Sequence, residues 1–187
     1  MIAELGLAAL WMAAALCMLQ LIGGAFGMRA EGGELAKLVR PAAIMQGALA
    51  AFAFLMLLWL FAITDLSVSL VATNSHAAKP MIFKLAGSWG NHEGSMLLWV
   101  TVMALAGGLI AFAERRLPEN TMLATLAAQG FVGIGFYAFL LLSSNPFARL
   151  PEPAAEGMGL NPLLQDIGLA FHPPTLYFGY VGLSVAF

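Results

Sequence analysis

Charged residues fall in widely spaced groups along this chain, and long apolar stretches lie between them. Between Glu4 and Arg29 there are 24 uncharged residues, and between Arg40 and Asp65 another 24. Glu93 to Glu114 encloses 20, and Glu119 to Arg149 encloses 29. A helix needs roughly 20 mainly apolar residues to cross the ~30 Å hydrocarbon layer. The pattern therefore predicts four crossings, at about 5–28, 42–63, 94–113 and 121–142. The runs are continuous rather than alternating, which excludes a barrel, and in lipid the backbone must satisfy its own hydrogen bonds. A fifth run opens at Thr175 and reaches Phe187, 13 residues in all. At ~1.5 Å per residue it extends about 20 Å, short of a full crossing. The fold class is all-α: a polytopic transmembrane helix bundle of four full spans plus the start of a fifth, read as one membrane domain over residues 1–187. With no stop signal at its end, the chain reads as a fragment or one piece of a split protein.

Composition agrees. Of 187 residues, 61% are hydrophobic and 10% charged, where a soluble domain carries about a quarter. A net charge of −2 and the absence of a basic block argue against a nucleic-acid partner. Cys17 is the only cysteine and can form neither an internal disulfide nor a CxxC pair. The first apolar run lacks a basic leader and exceeds an ordinary signal-peptide core, so it reads as a retained helix.

The loops set the expected orientation. Arg29, Lys37 and Arg40 lie in the loop predicted at 29–41, and Arg115 and Arg116 in the short loop 114–120. The long loops, 64–93 and 143–174, share only Lys79, Lys84 and Arg149. The positive-inside rule puts the short basic loops in the cytoplasm and the long loops on the outer side, the periplasm if the cell is Gram-negative. His76, His92 and His172 all fall on that outer side.

Chemistry-bearing residues cluster there. In "KLAGSWGNHEGSMLLWV", glycines flank Asn91-His92-Glu93 and tryptophans stand at both ends. Gly90 and Gly94 permit a tight turn, Glu93 suits a helix N-terminus, Trp89 lies at interface depth, and Trp99 is an interface anchor or a bundle contact. The segment reads as a capping turn with a belt aromatic, or as one wall of a site for a flat aromatic ligand. Downstream, Asn161 is a good N-cap and Pro162 fits a first helical position. Leu160, Leu163, Leu164, Ile167 and Phe171 follow helical spacing, which predicts a short interfacial helix.

His172 precedes Pro173 and Pro174. A residue before proline is biased toward extended backbone, and prolines are tolerated in a helix's first turn. That places a stiffly held imidazole at the mouth of a helix, where the positive end of the dipole favours a neutral, metal-competent ring. The same geometry suits a histidine satisfied by a loop carbonyl.

Three ordered stretches, "WGNHEGSMLLWV", "SNPF" with "LNPLLQD", and "LAFHPPTLYFGYVG", resemble the CcmF-type haem lyases of cytochrome c maturation, a family related to NrfE-type lyases and CcsA-type haem handling proteins. The resemblance covers essentially the whole chain and corresponds to the N-terminal part of a longer haem lyase. It implies that His172, in the "HPP" motif, is an axial ligand to haem iron on the outer face. It also implies that Trp89, Gly90, Gly94, Ser95 and Trp99, with Leu97 and Leu98, form a site wall or structural element. The implied cofactor is b-type haem in transit to cytochrome c. The implied partners are a CcmE-type haem chaperone, a CcmH-type thioreduction partner, apocytochrome c and the remainder of the lyase. The implied reaction adds the two thiols of a CxxCH segment across the haem vinyl groups.

The family's tryptophan-rich "WD" segment, its second outer axial histidine and the histidine holding a permanent haem have no counterpart here. The chain alone is therefore not expected to bind haem tightly or to turn over. His76 and His92 read as polar loop residues. Two other readings are a scaffold that docks chaperone and apocytochrome without catalysis, and a transporter segment. The uncharged spans count against the second.

Overall fold

The computed structural model describes residues 1–29 and 33–186. Residues 30–32, inside the loop predicted at 29–41, and Phe187, the last of the predicted fifth run, lie outside them. The helices in chain order are α1 (Ile2–Gly27), α2 (Gly33–Ile63), α3 (Ser69–Asn74), α4 (Met81–Gly87), α5 (His92–Ala113), α6 (Glu119–Leu142) and α7 (Ile167–Ala186). A 3-10 turn, Pro162–Leu164, precedes α7. By length and apolarity α1, α2, α5 and α6 can cross a membrane, which matches the four predicted spans.

The spanning helices are apolar on every side, so residue size rather than polarity sorts their faces. Lipid tails are as apolar as leucine, and helices associate where small residues let backbones approach. Ala3, Gly6, Ala9, Ala13, Gly23 and Gly24 are buried on α1, while Trp11, Phe26, Trp59 and Phe112 point outward. α1 packs on α2 and α6, and α5 packs on α2 and α6, which closes a ring of four helices; α7 lies against the outside of α5. At Gly47 a Cβ would stand 3.0 Å from the Ala104 carbonyl oxygen on α5, so the missing side chain lets the two backbones approach this closely without displacement.

One polar chain runs through this apolar ring. The buried Gln20 amide of α1 donates to Gln46 Oε1 of α2, and Gln46 Nε2 donates to the Tyr137 hydroxyl of α6 at 3.1 Å. Nearby, Cys17 Sγ donates to the Gly130 carbonyl at 3.3 Å. These bonds satisfy polar groups that would be costly alone in hydrocarbon.

Several boundaries differ from the sequence reading. α2 begins at Gly33 rather than about 42 and continues through Pro41. Ala36 and Val39 are buried against Ala111, Met122, Leu123 and Leu126, and this packing offsets the hydrogen bond that Pro41 cannot make. Lys37 and Arg40 therefore lie on a helix, and Arg40 Nη1 donates to the Ala111 and Glu114 carbonyls (3.2 and 3.1 Å) at the end of α5. The loop predicted at 64–93 contains α3 and α4. The predicted interfacial helix resolves into the 3-10 turn, capped by Asn161 Oδ1 accepting from the Leu163 amide at 3.0 Å, and the first turns of α7.

At the long-loop end the two connectors are tied together. Ser69 N donates to the Ala148 carbonyl and Leu150 N to the Ser67 carbonyl, both at 2.9 Å, beside an antiparallel bridge between Val68 and Arg149. Arg149 Nε and Nη2 donate to the two Glu4 carboxylate oxygens at 2.7 and 3.0 Å, and Nη1 donates to Ser67 Oγ. The start of α1 thus belongs to the same end as both long loops.

Candidate functional site

The start of α5 is a knot of close contacts. Asn91 Oδ1 accepts from the Gly94 amide at 2.7 Å, while Asn91 Nδ2 donates to the Gly87 carbonyl at 2.6 Å. This is N-capping as the glycine-flanked sequence predicts. A Cβ at Gly94 would overlap the Ser88 carbonyl oxygen. Ser95 Oγ donates to the His92 carbonyl at 3.0 Å. A Cβ at Gly90 would lie 3.0 Å from Leu160 Cδ1 and 3.1 Å from Leu164 Cδ1, so the glycine seats the 3-10 turn.

The tryptophans extend this contact to α7. Trp89 stacks on Phe54 of α2 with ring centroids 6.5 Å apart, and its indole Nε1 donates to the Ala170 carbonyl at 2.8 Å. Trp99 is a bundle contact rather than an interface anchor. It stacks on Phe136 (6.1 Å) and Tyr180 (6.3 Å) and meets the edge of Tyr177 (5.3 Å).

His172 lies elsewhere on that helix. Ala170, Tyr177 and Val181 recur at helical spacing on the packed face: Ala170 lies with Ala86 of α4, Leu160 and Trp89, and Tyr177 and Val181 pack on α5. His172, with Gly168, Leu176, Gly179 and Leu183, takes the opposite, exposed face. A Cβ at Gly179 would meet nothing within 4 Å, so this face is open. The sequence placed His172 in extended backbone at a helix mouth with both prolines in the first turn. Instead α7 begins at Ile167, with the Ala170 amide donating to the Asp166 carbonyl at 2.8 Å. His172 is thus helical in the second turn, and the dipole argument, which belongs to the first turn, no longer applies to it. The bias against helix before proline is a preference, and a helix nucleated upstream overrides it. Thr175 Oγ1 donates to the His172 carbonyl at 2.8 Å.

Trp89, Gly90, Gly94, Ser95 and Trp99 therefore gather around the start of α5 and the packed side of α7, and His172 faces the other way. The partners that sequence reading missed are Phe54, Ala170, Tyr177 and Tyr180. For Ala170 and Tyr177 the signal was their spacing with Pro173, Pro174 and Val181, which marks one helical face; that spacing points to neither Phe54 nor Tyr180. Among the described residues no group of three His, Cys, Asp or Glu side chains could hold a metal ion. Among the described residues the exposed imidazole of His172 could supply a single nitrogen donor.

The other histidines have protein partners. His92 opens α5 rather than lying in a loop. Its Nδ1 lies 3.2 Å from Ser144 Oγ, and its ring meets the edge of Phe139 at 5.3 Å. It stands at one end of a groove of about 370 Å³ with Met96, Val132, Gly135, Phe136 and Phe139. His76 Nδ1 accepts from the Ala78 amide at 3.1 Å, and its Nε2 lies 3.8 Å from Glu156 Oε1. Amides of Gly157 and Ala77 hold the Glu156 carboxyl below its ordinary range. Partial burial lowers the Lys79 ammonium, which donates to the Leu160 carbonyl at 3.2 Å.

Known proteins resemble this chain in sequence and in fold. Residues 89–187, which include the α5 knot and α7, match the cytochrome C assembly protein family profile. Over its full length the chain is 46% identical to the cytochrome c-type biogenesis protein CycK of Bradyrhizobium diazoefficiens, spanning 28% of that protein. It is 47% identical to the biogenesis protein ccl1 of Rhodobacter capsulatus (29% of its length), and 37% identical to NrfE of Haemophilus influenzae (29%). A solved structure of the cytochrome c haem lyase CcmF matches 99% of this chain and 29% of its own, with a TM-score of 0.85 at 26% identity. The chain thus spans under a third of the relatives it matches, and it belongs to the cytochrome c assembly protein family, in the group of CcmF, CycK, Ccl1 and NrfE biogenesis proteins.

Proposed function

We propose that this chain forms part of a haem-handling site at the periplasmic face of a bacterial inner membrane, with His172 as one axial ligand to the iron. Haem is cargo here, received from a CcmE-type chaperone and passed to apocytochrome c, whose cysteines a CcmH-type partner keeps reduced. The observation that carries the reading is the exposed imidazole of His172 on the open face of α7, at the long-loop end of a helix braced by the tryptophan-glycine knot. The positive-inside argument, now resting on Arg29, Arg115, Arg116 and the helical Lys37 and Arg40, supports a periplasmic position for that end.

The chemistry requires little reactive machinery from the protein. Each substrate thiol adds across a vinyl group, forming one C–S and one C–H bond. The thiolate is the nucleophile, and both sulfurs come from the substrate. The part of His172 is to donate a nitrogen lone pair to iron and fix the orientation of the macrocycle; bracing by α5 limits how far that nitrogen wanders. A second axial ligand and most of the cradle would come from the portion that the longer relatives possess.

Purification of the protein as expressed from its natural gene, with and without His172→Ala, tests this. Loss of the haem absorption band, or a change from a low-spin to a high-spin spectrum, is the expected result. Unchanged haem content and spectrum would instead favour a scaffold that docks partners. A cysteine in place of Glu156 is expected to react with an impermeant thiol reagent in intact spheroplasts, and reaction only after lysis would overturn the orientation.

A further inference from the structure

Pro174 has no amide hydrogen, so the helical bond that would run from residue 174 to the Ala170 carbonyl does not exist. Ala170 is buried, with 3% of its surface exposed, and a buried carbonyl left without a donor is costly. That donor is the Trp89 indole at 2.8 Å. The indole itself is fixed: it stacks on Phe54 of α2 and is partly buried among residues of α5 and α7. The two sequence motifs are therefore halves of one device. The proline frees a backbone acceptor in the first turn of α7, and the tryptophan, from the turn before α5, takes it.

We propose that Trp89 is a positioning residue for His172, acting through the Ala170 carbonyl that Pro174 leaves free. The inference rests on the reading of His172 as an iron ligand. Ala170 is two residues from His172, and the two occupy opposite faces of the same turn, so a hydrogen bond that pins one face sets where the other points. Pro173 likewise has no amide hydrogen to give to the turn before it, so an external tether on this stretch matters more. Trp89 touches neither iron nor substrate in this scheme.

The test uses Trp89→Phe, which keeps an aromatic ring and removes the donor, and Pro174→Ala, which restores a backbone donor for Ala170. Both are introduced into the protein as expressed from its natural gene, singly and together. Two readouts are taken: amide hydrogen exchange over residues 170–176 in haem-free protein, and the haem spectrum and retention after purification from haem-replete cells. Trp89→Phe alone is expected to speed exchange and to reduce haem retention about five- to tenfold, the size of one buried hydrogen bond. In the Pro174→Ala background the same substitution is expected to change either readout less than about twofold, because the restored backbone amide at that position now serves the carbonyl. Unchanged exchange in Trp89→Phe would overturn the tether itself. An equal effect of Trp89→Phe in both backgrounds would assign the tryptophan's role to packing and overturn the proposal. Exchange that rises and recovers as expected, beside unaltered haem spectrum and retention, would leave the tether and overturn its positioning role; failure of the underlying ligand reading is distinguished by His172→Ala in the same preparation, which would then also leave the haem spectrum unchanged.

Discussion

Replacing Gln46 with methionine cuts the side chain that links three spanning helices at once in the chain Gln20–Gln46–Tyr137. Methionine keeps an unbranched stem of similar volume, so packing changes little and the loss is chiefly polar. Two interhelical hydrogen bonds disappear, one from α1 and one to α6. Such bonds in membrane proteins contribute about 0.6 kcal/mol on average and up to about 1.7, so the expected cost is about 1–3 kcal/mol. Tyr137→Phe alone removes one of the two and is expected to cost about 0.6–1.7 kcal/mol. The decisive quantity is the coupling. Once Gln46 is methionine the tyrosine hydroxyl has already lost this partner, so adding Tyr137→Phe is expected to cost less than about 0.5 kcal/mol more. Reversible unfolding in mixed micelles of graded denaturing-detergent fraction, read by circular dichroism, supplies the four corners of the cycle. Equal cost of Tyr137→Phe in both backgrounds would show that the hydrogen-bonded chain does not hold these helices, and the reasoning would fail.

Three further outcomes are expected. Gly94→Ala forces a Cβ onto the Ser88 backbone carbonyl and is expected to cost about 1–3 kcal/mol or more by the same unfolding assay. Gly135→Ala, with nothing within 4 Å of the new Cβ, serves as the control and is expected to be neutral or slightly stabilising; equal losses at the two sites would refute the steric account. Arg149→Lys replaces a two-pronged contact with Glu4 by a point charge and is expected to speed amide exchange at residues 66–69 while the spanning cores stay protected; identical exchange would count against the tie. For Glu156 the folded-state carboxyl titrates below its unfolded value, so its contribution is fully present above the unfolded pKa of about 4.3 and is lost as pH falls through the lower folded value. A spin label at residue 77 is expected to gain mobility over that acidic range in the parent protein and to lose this pH response in Glu156→Gln; an acid response surviving in the variant would assign it to another group.

The spacing of charges determined the number of the four spans, and placed all but the start of α2 to within a few residues, because the cost of ions in hydrocarbon is read one residue at a time along the chain. The capping turn before α5, the cap at Asn161 with Pro162 after it, and the candidate imidazole at His172 were local and equally legible, although the helix expected after Pro162 is a 3-10 turn. The long-range terms were not. α2 continues through Pro41 because Ala36 and Val39 are buried against α5 and α6, and nothing in residues 33–41 alone records those neighbours. α7 begins before its prolines, and the donor that Pro174 cannot supply to the Ala170 carbonyl comes from an indole 81 positions earlier. Residue type thus fixed which segments enter the membrane. Only the tertiary contacts decided where those helices begin, and that His172 faces away from the tryptophans whose motif runs alongside it, since each of these depends on a partner far away in the chain.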